Sequence, residues 1–223
     1  EINSALDILT SDEVRRRVVE MVGAARILDD EPSGGDADSG AESRMTRMQN
    51  AKTQFWKWLD PVLMATVAES FADRMGEVDP DHAADYERAA EELVAELTEL
   101  DEEYTLGLAE CERDTVVVSH DAFGYLERHG LHFEPIAGLS PDSEPSPAHL
   151  AELQDLIGEE DVTTVFAETL ASPVLAESLA ADLGLETAVL DPIEGPGDEG
   201  SEEDYLSLMR TNLAELERAN RCR

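Results

Sequence analysis

Lysine is nearly absent from this 223-residue chain: only Lys52 and Lys57, among 16 basic residues, are not arginine. Acids outnumber bases 52 to 16, a formal charge of −36. A surface of that sign repels nucleic acid and anionic lipid, so neither is an expected partner. Arginine in place of lysine, amid so many acids, suggests a high-salt or acid-rich host. No run of eighteen apolar residues occurs, so no transmembrane segment is expected, and no signal peptide is visible. Gly-x-Ser-x-Gly, Gly-x-Gly-x-x-Gly and the phosphate loop are also missing, which removes the usual grounds for an enzyme. The chain opens on Glu1 inside a helix-like pattern, which predicts a fragment or processed form.

Enough apolar residues remain for a core, at 42%. The length allows one large domain or two smaller lobes. Residues 2–23 read as helix, 25–28 as a short strand, and 29–44 as a surface loop without apolar periodicity. Both tryptophans follow, in Phe55-Trp56-Lys57-Trp58-Leu59-Asp60-Pro61, where packing is the commoner role. A helix is predicted from Pro61, with proline in its first turn, to the break at Asp79-Pro80. Residues 81–110 form one long charged helix pattern with a narrow apolar stripe. At 1.5 Å per residue it would run about 45 Å, a rod joining two lobes.

Strand and helix patterns then alternate. Strands are predicted at 115–119, 131–136, 162–166 and 187–190. Helices follow at 122–129, 148–157, 173–183 and 202–220. Such alternation specifies an α/β fold, a parallel sheet with helices on both faces. The expected division is a partial N-terminal lobe (1–80), a linking helix (81–110) and a C-terminal α/β lobe (111–223).

Ligands of open α/β sheets bind beyond the carboxyl ends of the strands. His120 and Asp191 sit at two such ends, as does Glu168, while Glu134 lies on the second strand. An imidazole and a carboxylate on one rim make half a site for zinc or manganese, though such residues are more often hydrogen-bonded or solvated. Ser119-His120-Asp121 is no catalytic triad, because neighbours on a strand point in alternate directions. His82, His129, His132 and His149 fall on helix or strand surfaces by pattern. Cys111 and Cys222 either pair, closing a loop of about a hundred residues in an oxidising setting, or are unrelated thiols.

Several motifs now stand in order: Ser119-His120-Asp121-Ala122-Phe123-Gly124-Tyr125-Leu126, Gly138 to Pro147, Phe166-Ala167-Glu168-Thr169-Leu170-Ala171-Ser172-Pro173, Val189-Leu190-Asp191-Pro192-Ile193-Glu194-Gly195, and Asp204 to Leu213. The series resembles the solute-binding receptors of bacterial zinc and manganese ABC importers, the zinc-uptake branch in particular. The closing Ala219-Asn220-Arg221-Cys222 resembles actinobacterial members.

The resemblance implies two α/β lobes joined by one long helix, with the metal held between them by two ligands from each. It implies His120 and Asp191 as the C-lobe ligands, with Glu168 and Glu144 as supporting carboxylates. A histidine at position 120 implies zinc ahead of manganese. It further implies an extracytoplasmic monomer, periplasmic or anchored as a lipoprotein, that hands the ion to a permease. The chain departs from the pattern in the N-lobe. The family's Pro-His-x-Trp-Leu-Asp-Pro has become Phe55-Trp56-Lys57-Trp58-Leu59-Asp60-Pro61, so Trp56 replaces a ligand histidine. That keeps open a divergent member with altered or lost metal binding, acting as an accessory or adhesin-like surface protein.

Overall fold

The computed structural model describes residues 56–138, 143–169, 172–194 and 204–223. The readings at 2–23, 25–28 and 29–44 lie outside them. The chain divides into two compact units, Glu1–Thr98 and Glu99–Arg223. The boundary falls inside the long helix rather than at either of its ends.

The described part of the first unit is helical. A 3-10 turn, Lys57–Leu59, leads into helix α1, Pro61–Val78. Asp60 starts α1 by accepting from the backbone N–H groups of Val62 (2.9 Å) and Leu63 (3.3 Å), while Pro61 lacks the N–H that a first turn leaves unbonded. A second 3-10 turn, Pro80–His82, precedes helix α2, Ala83–Gly107. At 25 residues α2 is about 37 Å long. It is shorter than the expected 81–110 because Pro80 nucleates a tight turn at one end and the chain turns off after Gly107 at the other. The Asp79 carboxylate takes hydrogen bonds from Tyr86 and His82, which hold it below the usual aspartate range.

The second unit carries the sheet. Its strands are β1, Thr115–Val118; β2, His132–Pro135; β3, Thr164–Glu168; and β4, Glu186–Leu190. All pairings are parallel, in the order β2-β1-β3-β4. Strands β1 and β3 are buried along their whole length, as β-branched and apolar runs in a sheet covered on both faces should be. Helix α3 (Pro147–Glu159) starts on Ser146, whose hydroxyl accepts from the His149 N–H at 3.2 Å. Helix α4 (Val174–Leu183) stops at Gly184, which takes the left-handed conformation glycine tolerates best. Helix α5 (Tyr205–Asn220) opens on a reciprocal capping box between Asp204 and Ser207.

One face of the sheet packs Val117, Ile136, Val165 and Ala167 against Leu153, Ile157, Ala176, Leu179 and Ala180 of α3 and α4. The α5 residues Met209, Leu213 and Leu216 are buried, and Tyr104 of α2 donates to the Met209 carbonyl at 2.7 Å. Burial pushes the Tyr104 hydroxyl pKa well above the ordinary tyrosine value.

The sheet expectation holds within two residues at each strand end. One expected helix does not: 122–129 is a 3-10 segment, Gly124–His129. Gly130, at φ +92°, closes it after six residues, too few for a stable α-helix between two strands this close. His129 is also not on the surface. It is buried, with Nδ1 at 3.2 Å from the Thr105 hydroxyl and its ring 5.4 Å from that of Tyr104.

The pairing question left open by the two cysteines is answered: Cys111 and Cys222 form a disulfide. Backbone bonds reinforce it. The N–H groups of Glu112 and Arg113 both donate to the Asn220 carbonyl, and that of Arg223 to the Glu110 carbonyl. The Arg113 guanidinium adds a bond to the Ala219 carbonyl at 2.8 Å.

Candidate metal centre

The strand order decides where a ligand would sit. From β1 the chain steps one way to β2; from β3 it steps the other way to β4. The crevice of such a sheet opens where the direction reverses, beyond the carboxyl ends of β1 and β3. His120 follows β1 and Glu168 ends β3.

The His120 side chain has no exposed surface and that of Glu168 only 2%. Glu168 Oε1 accepts twice from the same residue, from the His120 backbone N–H at 3.1 Å and from ring Nδ1 at 2.5 Å. A carboxylate buried this way calls for a proton on Nδ1. In the neutral ring the lone pair then lies on Nε2, the arrangement found when carboxylate, histidine and zinc stand in line. The backbone around His120 is fixed from both sides. Ala137 N–H donates to the Ser119 carbonyl at 2.9 Å, Asp121 N–H to the Gly138 carbonyl at 3.2 Å, and the Ser119 hydroxyl to the Phe166 carbonyl at 3.1 Å.

A further carboxylate reaches the same ring. Glu194 Oε1 lies 3.8 Å from His120 Nε2, on the side a metal would occupy. The sequence reading did not pick out Glu194 as a site residue. The available signal was a second carboxylate three positions after Asp191, still within the exit loop of β4.

Asp191 is occupied differently. Its Oδ1 accepts from the Ile193 N–H at 2.7 Å and its Oδ2 from the Thr169 hydroxyl at 3.0 Å. Its backbone is gripped by Asn212 of α5: the Asp191 N–H donates to Asn212 Oδ1, and Asn212 Nδ2 donates to the Asp191 carbonyl, each at 2.8 Å. Asn212 is buried. Between Asp191 and Glu194, Ile193 is held at φ +55°. For a β-branched residue this left-handed backbone costs about 1–2 kcal/mol, so surrounding bonds must impose it.

Glu144 and Trp56 complete the expected set. Glu144 is exposed ahead of α3. Trp56, in the first unit, is buried and left-handed at φ +53°, opening the 3-10 turn. Among the described residues no three or more His, Cys, Asp or Glu side chains converge closely enough to hold a metal. The donor types at His120 and Glu194 nevertheless suit zinc, which accepts imidazole nitrogen and carboxylate oxygen.

The family of zinc-uptake complex component A, periplasmic (ZnuA), matches residues 3–219. The chain belongs to this family. The high-affinity zinc uptake system protein ZnuA of Bacillus subtilis is 37% identical over 162 residues, covering 71% of this chain and 51% of that protein. The zinc-binding lipoprotein AdcA of Streptococcus pneumoniae is 32% identical over 210 residues, covering 93% of this chain and 41% of that protein. The chain thus spans about half the length of these curated relatives or less. Among solved structures, the laminin-binding protein Lmb of Streptococcus agalactiae, described as bifunctional with adhesin and metal transporting activity, superposes with a TM-score of 0.69. It is 36% identical, covering 73% of this chain and 63% of that one. Family membership agrees with the resemblance drawn from the motifs and with the α/β fold.

Proposed function

We propose that this chain is the zinc-capturing part of a solute receptor for an ABC importer. The observation that carries the reading is the buried His120, with Nδ1 held by Glu168 and Nε2 turned toward Glu194. Zinc is cargo: it is captured, held and released to a permease subunit, and no bond is made or broken in a substrate, so the role is not enzymatic. His120 supplies a nitrogen donor and Glu194 an oxygen donor. Asp191 is the other carboxylate of this rim. A tetrahedral shell needs donors beyond His120 and Glu194. α2 carries the chain from the N-terminal lobe to this one, so residues 81–110 act as the link between lobes 1–80 and 111–223. Imidazole favours zinc over manganese, which suits oxygen-rich shells. The disulfide supports an extracytoplasmic location. Among the described residues no helix is long and apolar enough to cross a membrane. We assign the working form as a monomer.

The test is calorimetric titration of zinc into the full chain. Sub-micromolar binding, weakened more than about 100-fold in His120→Ala, is expected. Absence of zinc binding in the unmutated chain would overturn the reading. Trp56 favours a second one, an adhesin-like family member with altered metal binding, because an indole offers zinc no lone pair. Unimpaired binding to an extracellular-matrix protein by a chain that ignores zinc would support it.

A further inference from the structure

The bonds around Asp191 form part of a closed circuit. His120 Nδ1 is bonded to Glu168. The next residue, Thr169, donates its hydroxyl to Asp191 Oδ2. Asp191 Oδ1 accepts the Ile193 N–H, and the next residue, Glu194, returns to within 3.8 Å of His120 Nε2. Asn212 fastens the circuit to α5 by gripping both backbone groups of Asp191. Each carboxylate oxygen of Asp191 thus accepts a bond from within the loop. The strained residue of the circuit, Ile193, is the one immediately before Glu194, and the bond on its N–H comes from Asp191.

We propose that Asp191 and Asn212 are positioning residues: they impose the left-handed turn at Ile193 that delivers the Glu194 carboxylate to the Nε2 side of His120. The proposal rests on the zinc reading above and reassigns Asp191 within it. The mechanism is preorganisation. A glutamate on a free loop would lose loop entropy each time it closed on a metal, whereas a turn already held in place has lost it on folding.

The test uses zinc titrations of the full chain carrying Asp191→Asn, Asp191→Ala and Thr169→Val. Asparagine keeps an oxygen for the Ile193 N–H but removes the charge that a metal ligand needs. Positioning predicts that Asp191→Asn binds zinc within about 3-fold of the unmutated chain, that Asp191→Ala loses about 10–100-fold, and that Thr169→Val falls between. Zinc-edge absorption spectra should show the same nitrogen and oxygen donors in the Asn variant as in the unmutated chain. If Asp191→Asn is as damaged as Asp191→Ala, with a donor missing from its spectrum, Asp191 is a direct ligand and the proposal fails. It also fails if Asp191→Ala binds like the unmutated chain. Should Asp191→Ala not melt cooperatively, unchanged affinity in Thr169→Val would overturn the proposal by itself. Failure of the underlying reading looks different: zinc binding would then be absent, or indifferent to His120→Ala and Glu194→Gln.

Discussion

The two ends of the second unit's sheet are built on different principles. At the amino end, chain entry and exit are closed by a disulfide and by backbone hydrogen bonds among Glu110, Glu112, Arg113, Asn220 and Arg223. At the carboxyl end backbone bonds are joined by a set of side-chain ones: Glu168 to His120, Thr169 to Asp191, Asn212 to Asp191. The backbone bonds of the amino end do not depend on side-chain identity, and its disulfide depends on two cysteines alone. Side-chain bonds place particular atoms, and one substitution can move them. Under the proposed reading, the difference separates a region that holds the lobe shut from one that sets the atoms of the proposed zinc rim.

The largest effect that would break this contrast is expected at the amino end. Replacing Cys111 and Cys222 together by serine frees a loop spanning 111 residues, which the loop-entropy model values at about 4–5 kcal/mol. Denaturant unfolding should register the loss, while zinc affinity at the far rim changes by less than about 3-fold. A comparable loss of affinity would show that the two ends are not separable. Next comes Glu168→Gln. It removes the charge that fixes the His120 tautomer, so zinc binding should weaken by about 10–100-fold with little change in the melting midpoint; calorimetry and thermal melts on one sample decide it. Ser119→Ala deletes the buried bond to the Phe166 carbonyl beside His120. It should lower stability by about 1 kcal/mol, read from the denaturant midpoint, and weaken zinc binding by less than Glu168→Gln does, because the backbone bonds on either side of His120 remain.

The smallest effect is a pH dependence. Arg223, followed by Arg221, holds the Glu112 carboxyl below the usual glutamate range. A group depressed in the folded state adds stability above its unfolded pKa and loses it as pH falls through the folded one. The melting difference between the unmutated chain and Glu112→Gln should therefore be greatest near neutrality and vanish in acid below the normal glutamate range. A difference that grew on acidification would contradict the assignment.

Much of the second unit was legible because its strands announce themselves locally. Thr115-Val116-Val117-Val118 can hardly be anything but a buried strand, and capping residues such as Ser146 and Asp204 mark helix starts where the structure has them. His120 was legible for the same reason, standing where a strand ends, and Glu168 by the same rule one strand over. Glu194 was not, because its reach depends on a left-handed isoleucine, a conformation local preference argues against. Asn212 was hidden differently: it is 21 residues from Asp191 and sits mid-helix, where apolar periodicity says nothing of polar bonds. The 3-10 segment after His120 differs from the expected helix because the five residues between Gly124 and Gly130 carry helical spacing without room for helical turns. The division into lobes was read from pattern alone, whereas compactness places the boundary within α2.

The amino-end closure has a mechanical consequence. The chain leaves Glu110, travels through every strand of the sheet, and returns to bond Glu110 again through Arg223. Tension applied between the end of α2 and Arg223 would be borne by the disulfide and its neighbouring bonds, a short path that bypasses β1 to β4. The strands and the rim of His120 would stay slack under a pull that, without the Cys111–Cys222 link, would peel the lobe open from its first strand and its last helix.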